Sequence, residues 1–277
     1  MGQMPATALI YRRGYVTEAD RVVLEVFDPE TATQMTPSKY FNSGGGDPTR
    51  GYVQDEKTQN EDALRNALAF LVGKVQTSFD PDETPFVTNL SDYIDLETKT
   101  VRSITGQLEI DYGKGVATVN APCAQGACGF LGKAGKIDLA DVAITSANDF
   151  TSVLVVSMDG KPLTESGKIL IQAATHSRPY GWKEASAKFT VGSGANEKTV
   201  QGFEITSLGD YPLNMEAIRT QVALKGRAAP KKAMVVDSNG YAVRQAECSA
   251  TNATVNIDLP AGELYTVVEF SRYGGDQ

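Results

Sequence analysis

The sequence predicts a mainly β protein: an antiparallel β-sandwich of jelly-roll or Ig-like type, with one substantial helix near residues 60–75. Three observations carry that expectation. Runs rich in β-branched and aromatic residues recur along most of the chain, each closed by Gly, Asn, Ser or Asp. Strands spaced every ~8–12 residues and joined by short turns pair antiparallel and stack as sandwiches or barrels. Two turn signals stand between such runs, Gly113-Lys114-Gly115 and Asp237-Ser238-Asn239-Gly240, and both read as hairpins. Strong helical periodicity is confined to "NEDALRNALAFLVGKV", residues 60–75, where Ala63, Leu64, Ala67, Leu68, Leu71 and Val72 fall on one face behind Asn60 as N-cap.

In chain order, "TALIYRRGYV" and "RVVLEVF" read as strands. Residues 36–59, with three consecutive glycines and two prolines, read as a long loop ahead of the helix. "QLEIDY" and "GVATVNA" form the first hairpin. "KIDLADVAITS", "FTSVLVVSMDG" and "GKILIQAAT" follow as strands. The continuous apolar runs "VLVV" and "ILI" suit central strands buried on both faces. "AKFTVG", "VQGFEIT", "TQVALKG", "KAMVVDSNGYAV", "ATVNIDL" and "ELYTVVEFS" complete the set. The pattern divides into a mixed lead-in (1–84), a β-sandwich (85–185) and a C-terminal all-β portion of Ig-like character (186–277) that shares a sheet with its predecessor or stands beside it. A (β/α)₈ barrel is excluded, because it needs ~250 residues of alternating strand and helix.

With 34 acidic against 26 basic residues the net charge is −8, and the isoelectric point is about 4.8. No basic face is expected, which argues against nucleic acid and anionic membrane as partners and leaves neutral ligands such as sugars open. No apolar run approaches the ~18 residues of a membrane span, and the start lacks the basic and apolar regions of a signal peptide.

Concentrated chemistry is sparse. Cys123 and Cys128 sit in "NAPCAQGACGF". Cys-x₄-Cys is half a zinc site, with only Cys248 and the single histidine, His176, left to complete it. A disulfide, or two unreactive thiols in a shaped turn, are the other readings. "ATHSRPYGWK" gathers His176, Arg178, Tyr180 and the single Trp182. Aromatic rings stack on the apolar faces of pyranoses while His and Arg bond hydroxyls, so these four are the candidate carbohydrate-binding residues. The alternative is a Trp packed over a sheet edge. Glu109 and Asp111 share one face of a strand and would suit a two-carboxylate glycosidase. Asp159 and Glu165 lie in a hairpin whose Asp-Gly is turn chemistry. Asp80, Asp82 and Glu83 in "SFDPDETP" offer oxygens to a structural Ca²⁺ or form a solvated turn. Neither a G-x-S-x-G elbow nor a phosphate-binding G-x-x-x-x-G-K-[ST] loop is present.

Three segments, "ALAFLVGKVQTSFD", "VRSITGQLEIDYGKGVATVNAPCAQGACGFLG" and "FTSVLVVSMDGKPLTESGKILIQAAT", together resemble a known region through three motifs. Ser103-x-Thr105-Gly106-x-Leu108, the "V-x-x-P-x-x-Q-G-x-x-G-F" stretch from Val119 to Phe130, and Ser157-x-Asp159-Gly160-Lys161-Pro162 with Ser166 are similar to the β-sandwich region that follows the catalytic barrel in large bacterial glycoside hydrolases. The likeness runs over roughly residues 65–270. It implies a non-catalytic accessory region associated with carbohydrate or polysaccharide, a catalytic domain of the parent chain as partner, no cofactor beyond a structural Ca²⁺, and an extracellular or periplasmic setting. It also implies that Pro122, Gln125, Gly126 and Gly129 shape a turn in which the cysteines are incidental. Two further readings stand beside it: a module gripping polysaccharide directly, and a small jelly-roll glycosidase using Glu109 and Asp111. "LEIDY" resembles half of the E-x-D-x-x-E motif of jelly-roll glucanases, with Lys114 where the last acid belongs.

Overall fold

The computed structural model describes residues 4–27, 61–192 and 197–271. The glycine-rich loop expected at 36–59 and the Asn60 cap lie outside the described residues. The protein is mainly β, as its turn and strand pattern predicts.

Two antiparallel sheets form the body. The larger has ten strands in the order Ala242–Gln245, Lys232–Val236, Tyr265–Glu269, Lys168–Thr175, Thr151–Ser157, Ala124–Gly129, Val116–Ala121, Leu108–Asp111, Thr100–Arg102 and Ile94–Asp95. The smaller has five: Glu247–Thr251, Thr254–Asp258, Thr220–Lys225, Val142–Ser146 and Ile137–Asp138. Val153, Val155, Ile169, Ile171 and Val268 of the large sheet share one core with Val142, Ile144, Val222, Leu224, Val255 and Ile257 of the small one. Each such side chain contributes about 1.5–3 kcal/mol by leaving water. The two sheets therefore face each other in a sandwich-like body. Strands from before and after residue 186 share both sheets, meeting at one seam in each: Thr220–Lys225 pairs with Val142–Ser146, and Tyr265–Glu269 with Lys168–Thr175.

The apolar runs behave as expected. Thr151–Ser157 and Lys168–Thr175 are interior strands, paired on both sides. Three buried hydroxyls between the sheets bond one another. Ser146 Oγ lies 2.9 Å from Thr151 Oγ1 and 2.8 Å from Thr220 Oγ1, linking the two sheets.

One element departs from its expectation. The segment read as a strand at 7–16 is a helix, α1 (Met4–Arg13). Ala6, Leu9 and Ile10 recur at i, i+3 and i+4 and lie on Val156 and Leu170 of the large sheet's outer face. Gln172 Oε1 accepts the Ala6 N–H at 3.0 Å, and Tyr15 donates to the Ser157 carbonyl at 2.9 Å. The helix ends in a Schellman arrangement. Gly14, at φ +61°, donates to Tyr11 O, and Tyr15 N–H reaches back to Ile10 O at 3.0 Å. β-branched content misled here, and the need to cover a sheet face decided the outcome.

The expected helix is present as α2 (Glu61–Val72). Ala69 and Val72 pack with Val22, Val23, Leu90, Ile94 and Val101 in a second, smaller core. This core joins the three-stranded sheet of Arg21–Val26, Lys74–Ser78 and Phe86–Val87 to the end of the large sheet.

Between Thr175 and Thr220 the chain leaves the sandwich. Ser177–Tyr180 pairs with Asp210–Met215, and beyond them Lys183–Val191 pairs with Lys198–Ser207. The outer pair hydrogen-bonds to no other strand, and nearly all of its residues are exposed. It is a two-stranded ribbon projecting from the body.

Candidate functional site

The loop from His176 to Trp182 forms the root of this ribbon. A carboxylate that sequence reasoning passed over organises it. Glu184 Oε2 accepts a hydrogen bond from the Trp182 indole N–H at 3.0 Å and a charged one from Arg178. The Arg178 guanidinium stands 5.0 Å from the Trp182 ring centroid, a cation–π contact. The indole donor and then the guanidinium hold the Glu184 carboxyl below its usual range. His176 Nδ1 lies 3.7 Å from Glu216 Oε2, and Glu216 also takes Arg219 at 2.9 Å. Trp182 is half-buried, while Tyr180 is 67% exposed. The structure thus groups Arg178 and Trp182 about Glu184, with His176 directed to a separate carboxylate and Tyr180 free at the edge. Glu184 was legible only as an acid two residues beyond a Trp. Its role depends on the irregular entry to the ribbon, which brings the residue 182 indole onto the residue 184 carboxylate.

The motif residues have a different task. Gln125 is 1% exposed. Its amide donates to Asp141 Oδ2 at 2.8 Å, and its carbonyl accepts the Asp141 N–H at 2.9 Å. Pro122 and Cys123 make the tight turn. From Ala124 onward the segment is an interior strand of the large sheet rather than a continuing turn. Gly126 is needed for space: a Cβ there would stand 2.2 Å from Val153 O. Gly129 combines φ +140° with a Cβ position 2.0 Å from Gly115 O, so neither position admits a side chain.

The Ser-x-Asp-Gly hairpin is a closed network. Asp159 Oδ1 accepts from Ser166 Oγ at 2.8 Å and Ser157 Oγ at 3.0 Å, and Oδ2 accepts from Gly167 N at 2.8 Å. Desolvation is the largest single influence on this carboxyl and pushes its pKa up. The bonds from Ser166, Gly167 and Ser157 together outweigh it, and the net shift is downward. Ser103 Oγ accepts the Leu108 N–H at 3.1 Å, closing the first motif as a turn.

Glu109 and Asp111 line an open groove of about 350 Å³ with Lys114, Lys136 and Asp138. Asp111 is bound to Lys114 at 2.9 Å, and Asp138 to Lys225 at 2.9 Å. Hydrogen bonds from those lysines lower both carboxyl pKa values. A glycosidase acid needs the opposite shift. Among the described residues, every carboxyl with a resolved shift is lowered. A larger groove, about 440 Å³, lies on the outer face of the large sheet between Pro5, Met158, Met234 and Tyr265, away from the Trp182 loop.

Asp80 accepts the Asp82 N–H and caps its own turn, while Glu83 faces Arg21 at 3.7 Å. These three do not converge, and among the described residues no cluster of three His, Cys, Asp or Glu side chains is arranged to hold a metal. Cys128 lies in an extended strand and Cys123 just before it, with Ser157 N–H bonded to Cys123 O at 2.9 Å. Five residues of extended chain separate Cα atoms by ~16 Å, far beyond the ~7 Å a disulfide can span. All three cysteines are free thiols. Among the described residues no helix is long and apolar enough to cross a membrane.

No family model, no curated protein and no solved structure matches the chain.

Proposed function

We propose that this chain is a non-catalytic, carbohydrate-associated β-sandwich region, the companion of a glycoside-hydrolase catalytic domain. The observation that supports this best is the use made of the polar motif residues. Gln125 spends its hydrogen bonds on Asp141, and Ser157, Asp159 and Ser166 spend theirs on one another and on backbone. Residues committed in this way build a scaffold, and a reacting group needs an open valence toward substrate. Asp111 and Asp138, two of the acids that line a groove, are paired with lysines and held ionised, so neither offers the proton a glycosidase acid donates.

A second reading, direct grip on polysaccharide, is favoured by the ribbon root. Arg178 and Glu184 fix the Trp182 ring from its face and its N–H edge, and Tyr180 stands exposed beside it. Pre-oriented aromatic rings lose little entropy on binding. Affinity electrophoresis of the purified chain through gels containing soluble plant and algal glycans tests both readings, alongside assays with aryl-glycosides. The expected result is no aryl-glycoside turnover. Retardation lost on Trp182→Ala marks the direct-binding module, and retardation in no gel leaves the accessory reading alone. Turnover abolished by Glu109→Gln overturns both.

A further inference from the structure

The ribbon of Lys183–Val191 and Lys198–Ser207 has two unlike faces. Residues paired across an antiparallel ladder point to the same side, and neighbours alternate. The pairs Ala185–Glu204, Ala187–Gly202, Phe189–Val200 and Val191–Lys198 therefore share one face. The other face carries Glu184, Ser186, Lys188 and Thr190 opposite Ile205, Phe203, Gln201 and Thr199. The first face is apolar through its middle, with Phe189, Val191 and Val200 exposed to solvent. The Phe189 ring lies over Gly202, where an added Cβ would meet it at 3.0 Å. Charge appears only at the two ends: Glu204 toward the root and Lys198 toward the tip, both exposed and neither in an ion pair among the described residues.

Such a pattern is complementary to itself. Turning a second ribbon end for end and laying the two faces together puts each Lys198 over the other chain's Glu204 and brings the apolar middles into contact. An isologous two-fold interface requires this relation, in which residue i meets j and j meets i. An isolated two-stranded hairpin is also marginal in water and gains stability from a covering layer. The outward projection of the ribbon leaves room for that layer without displacing the sandwich.

We propose that the Phe189 face of the ribbon is a self-association surface that joins two copies of this chain about a two-fold axis, Lys198 of each against Glu204 of the other. The inference is independent of any carbohydrate role. A face about 30 Å long by about 10 Å wide is smaller than the ~800 Å² per partner of a standard interface. The dimer is accordingly weak, and it forms at tens to hundreds of micromolar chain, on the order of the affinities small interfaces give.

Sedimentation velocity and light scattering from about 5 to about 300 µM test it, with circular dichroism on every variant to check folding. The expected result is a concentration-dependent dimer. Phe189→Asp should leave a monomer. Lys198→Glu and Glu204→Lys should each weaken the dimer about tenfold by creating like-charge contacts, and the Lys198→Glu/Glu204→Lys double variant should restore it. Within one ribbon the two positions are six residues, roughly 20 Å, apart. That is more than twice the screening length at physiological salt, so rescue reports contact between chains. A monomer at every concentration overturns the proposal. So does a dimer that ignores Phe189→Asp, or single charge reversals that the double variant fails to restore. If Phe189→Asp perturbs folding, the charge-reversal set decides alone, because both of its positions are solvent-exposed.

Discussion

The side-chain amide of Gln125 and the backbone and carboxylate of Asp141 form a closed two-point clamp, 2.8 and 2.9 Å, between an interior strand of the large sheet and the entry to the small one. Gln125 is fully enclosed, so a lost partner cannot be replaced by bulk water. Leaving a buried donor and acceptor unsatisfied costs about 1–3 kcal/mol each. Gln125→Leu is expected to destabilise the fold by about 2–4 kcal/mol in urea or thermal unfolding. Asp141→Asn, which preserves the backbone donor, should cost less than half as much. Equal losses from the two variants, or none from either, would show that the clamp does not tie the sheets together.

The Asp159 network sets an acid limb for stability. Its carboxyl is depressed below the ordinary aspartate value of 3.8 in the folded state. A group of this kind stabilises the fold above its unfolded pKa, and that contribution fades as pH falls through the lower, folded value. Thermal midpoints measured from pH 7 to pH 2.5 should therefore drop below about pH 4. In Asp159→Ala the midpoint at pH 7 should fall by an amount corresponding to about 1–2 kcal/mol, the carboxylate being partly solvated. Its further loss on acidification should be smaller than in the parent. Parallel acid limbs in both proteins would remove Asp159 from the account.

Thiol chemistry offers a separate check. Cys128 and Cys248 are exposed, whereas Cys123 is half-buried, with its Sγ 3.8 Å from Gly160 O. Burial, and then the nearby Asp159 charge, push the Cys123 thiol upward. Thiolate is the reactive form, so iodoacetamide at pH 8 should label Cys128 and Cys248 first and Cys123 at least several-fold more slowly. Intact mass should be the same with and without reductant. A mass lower by two protons without reductant would mean that the strand carrying Cys128 is not extended as described.

How much of this was legible in the sequence depends on the range of the forces involved. Turns and apolar runs are local. Gly113-Lys114-Gly115 and Asp237-Ser238-Asn239-Gly240 therefore fell where hairpins are found, and "VLVV" and "ILI" became interior strands. The helix at Met4–Arg13 was written in Arg12, Arg13 and Gly14, a basic last turn and a C′ glycine, but β-branched composition obscured it. The cross-sheet clamp of Gln125 was out of reach, because its partner lies 16 residues away and only the paired sheets bring the two together. At the candidate site, Trp182, Arg178 and Tyr180 were chosen for residue type. Their organiser, Glu184, is visible only once the chain path at the ribbon's root is known. The apolar face of Phe189 needed the register with Val200, which no single strand carries.

Glu184 can be followed directly, because Trp182 is the single tryptophan of the chain. Its indole N–H donates to the Glu184 carboxylate, and that bond together with Arg178 keeps the carboxyl ionised below its ordinary value of 4.5. As pH falls past that ordinary value, the carboxylate should stay ionised for a further interval. It then takes up a proton, the Arg178 contact weakens, and the indole loses a charged acceptor. Tryptophan emission is therefore expected to be flat from pH 7 to about 4.5 and to change below it. Glu184→Gln, which keeps a neutral acceptor and cannot titrate, should abolish that change while leaving the far-ultraviolet spectrum intact. Glu184→Ala should shift the emission already at pH 7, since it frees both the ring and the guanidinium. If the direct-binding reading holds, Glu184→Ala should also weaken polysaccharide retardation several-fold, and Glu184→Gln less. Emission that titrates identically in Glu184→Gln would assign the acid transition to another group and leave the ring unheld by this carboxylate.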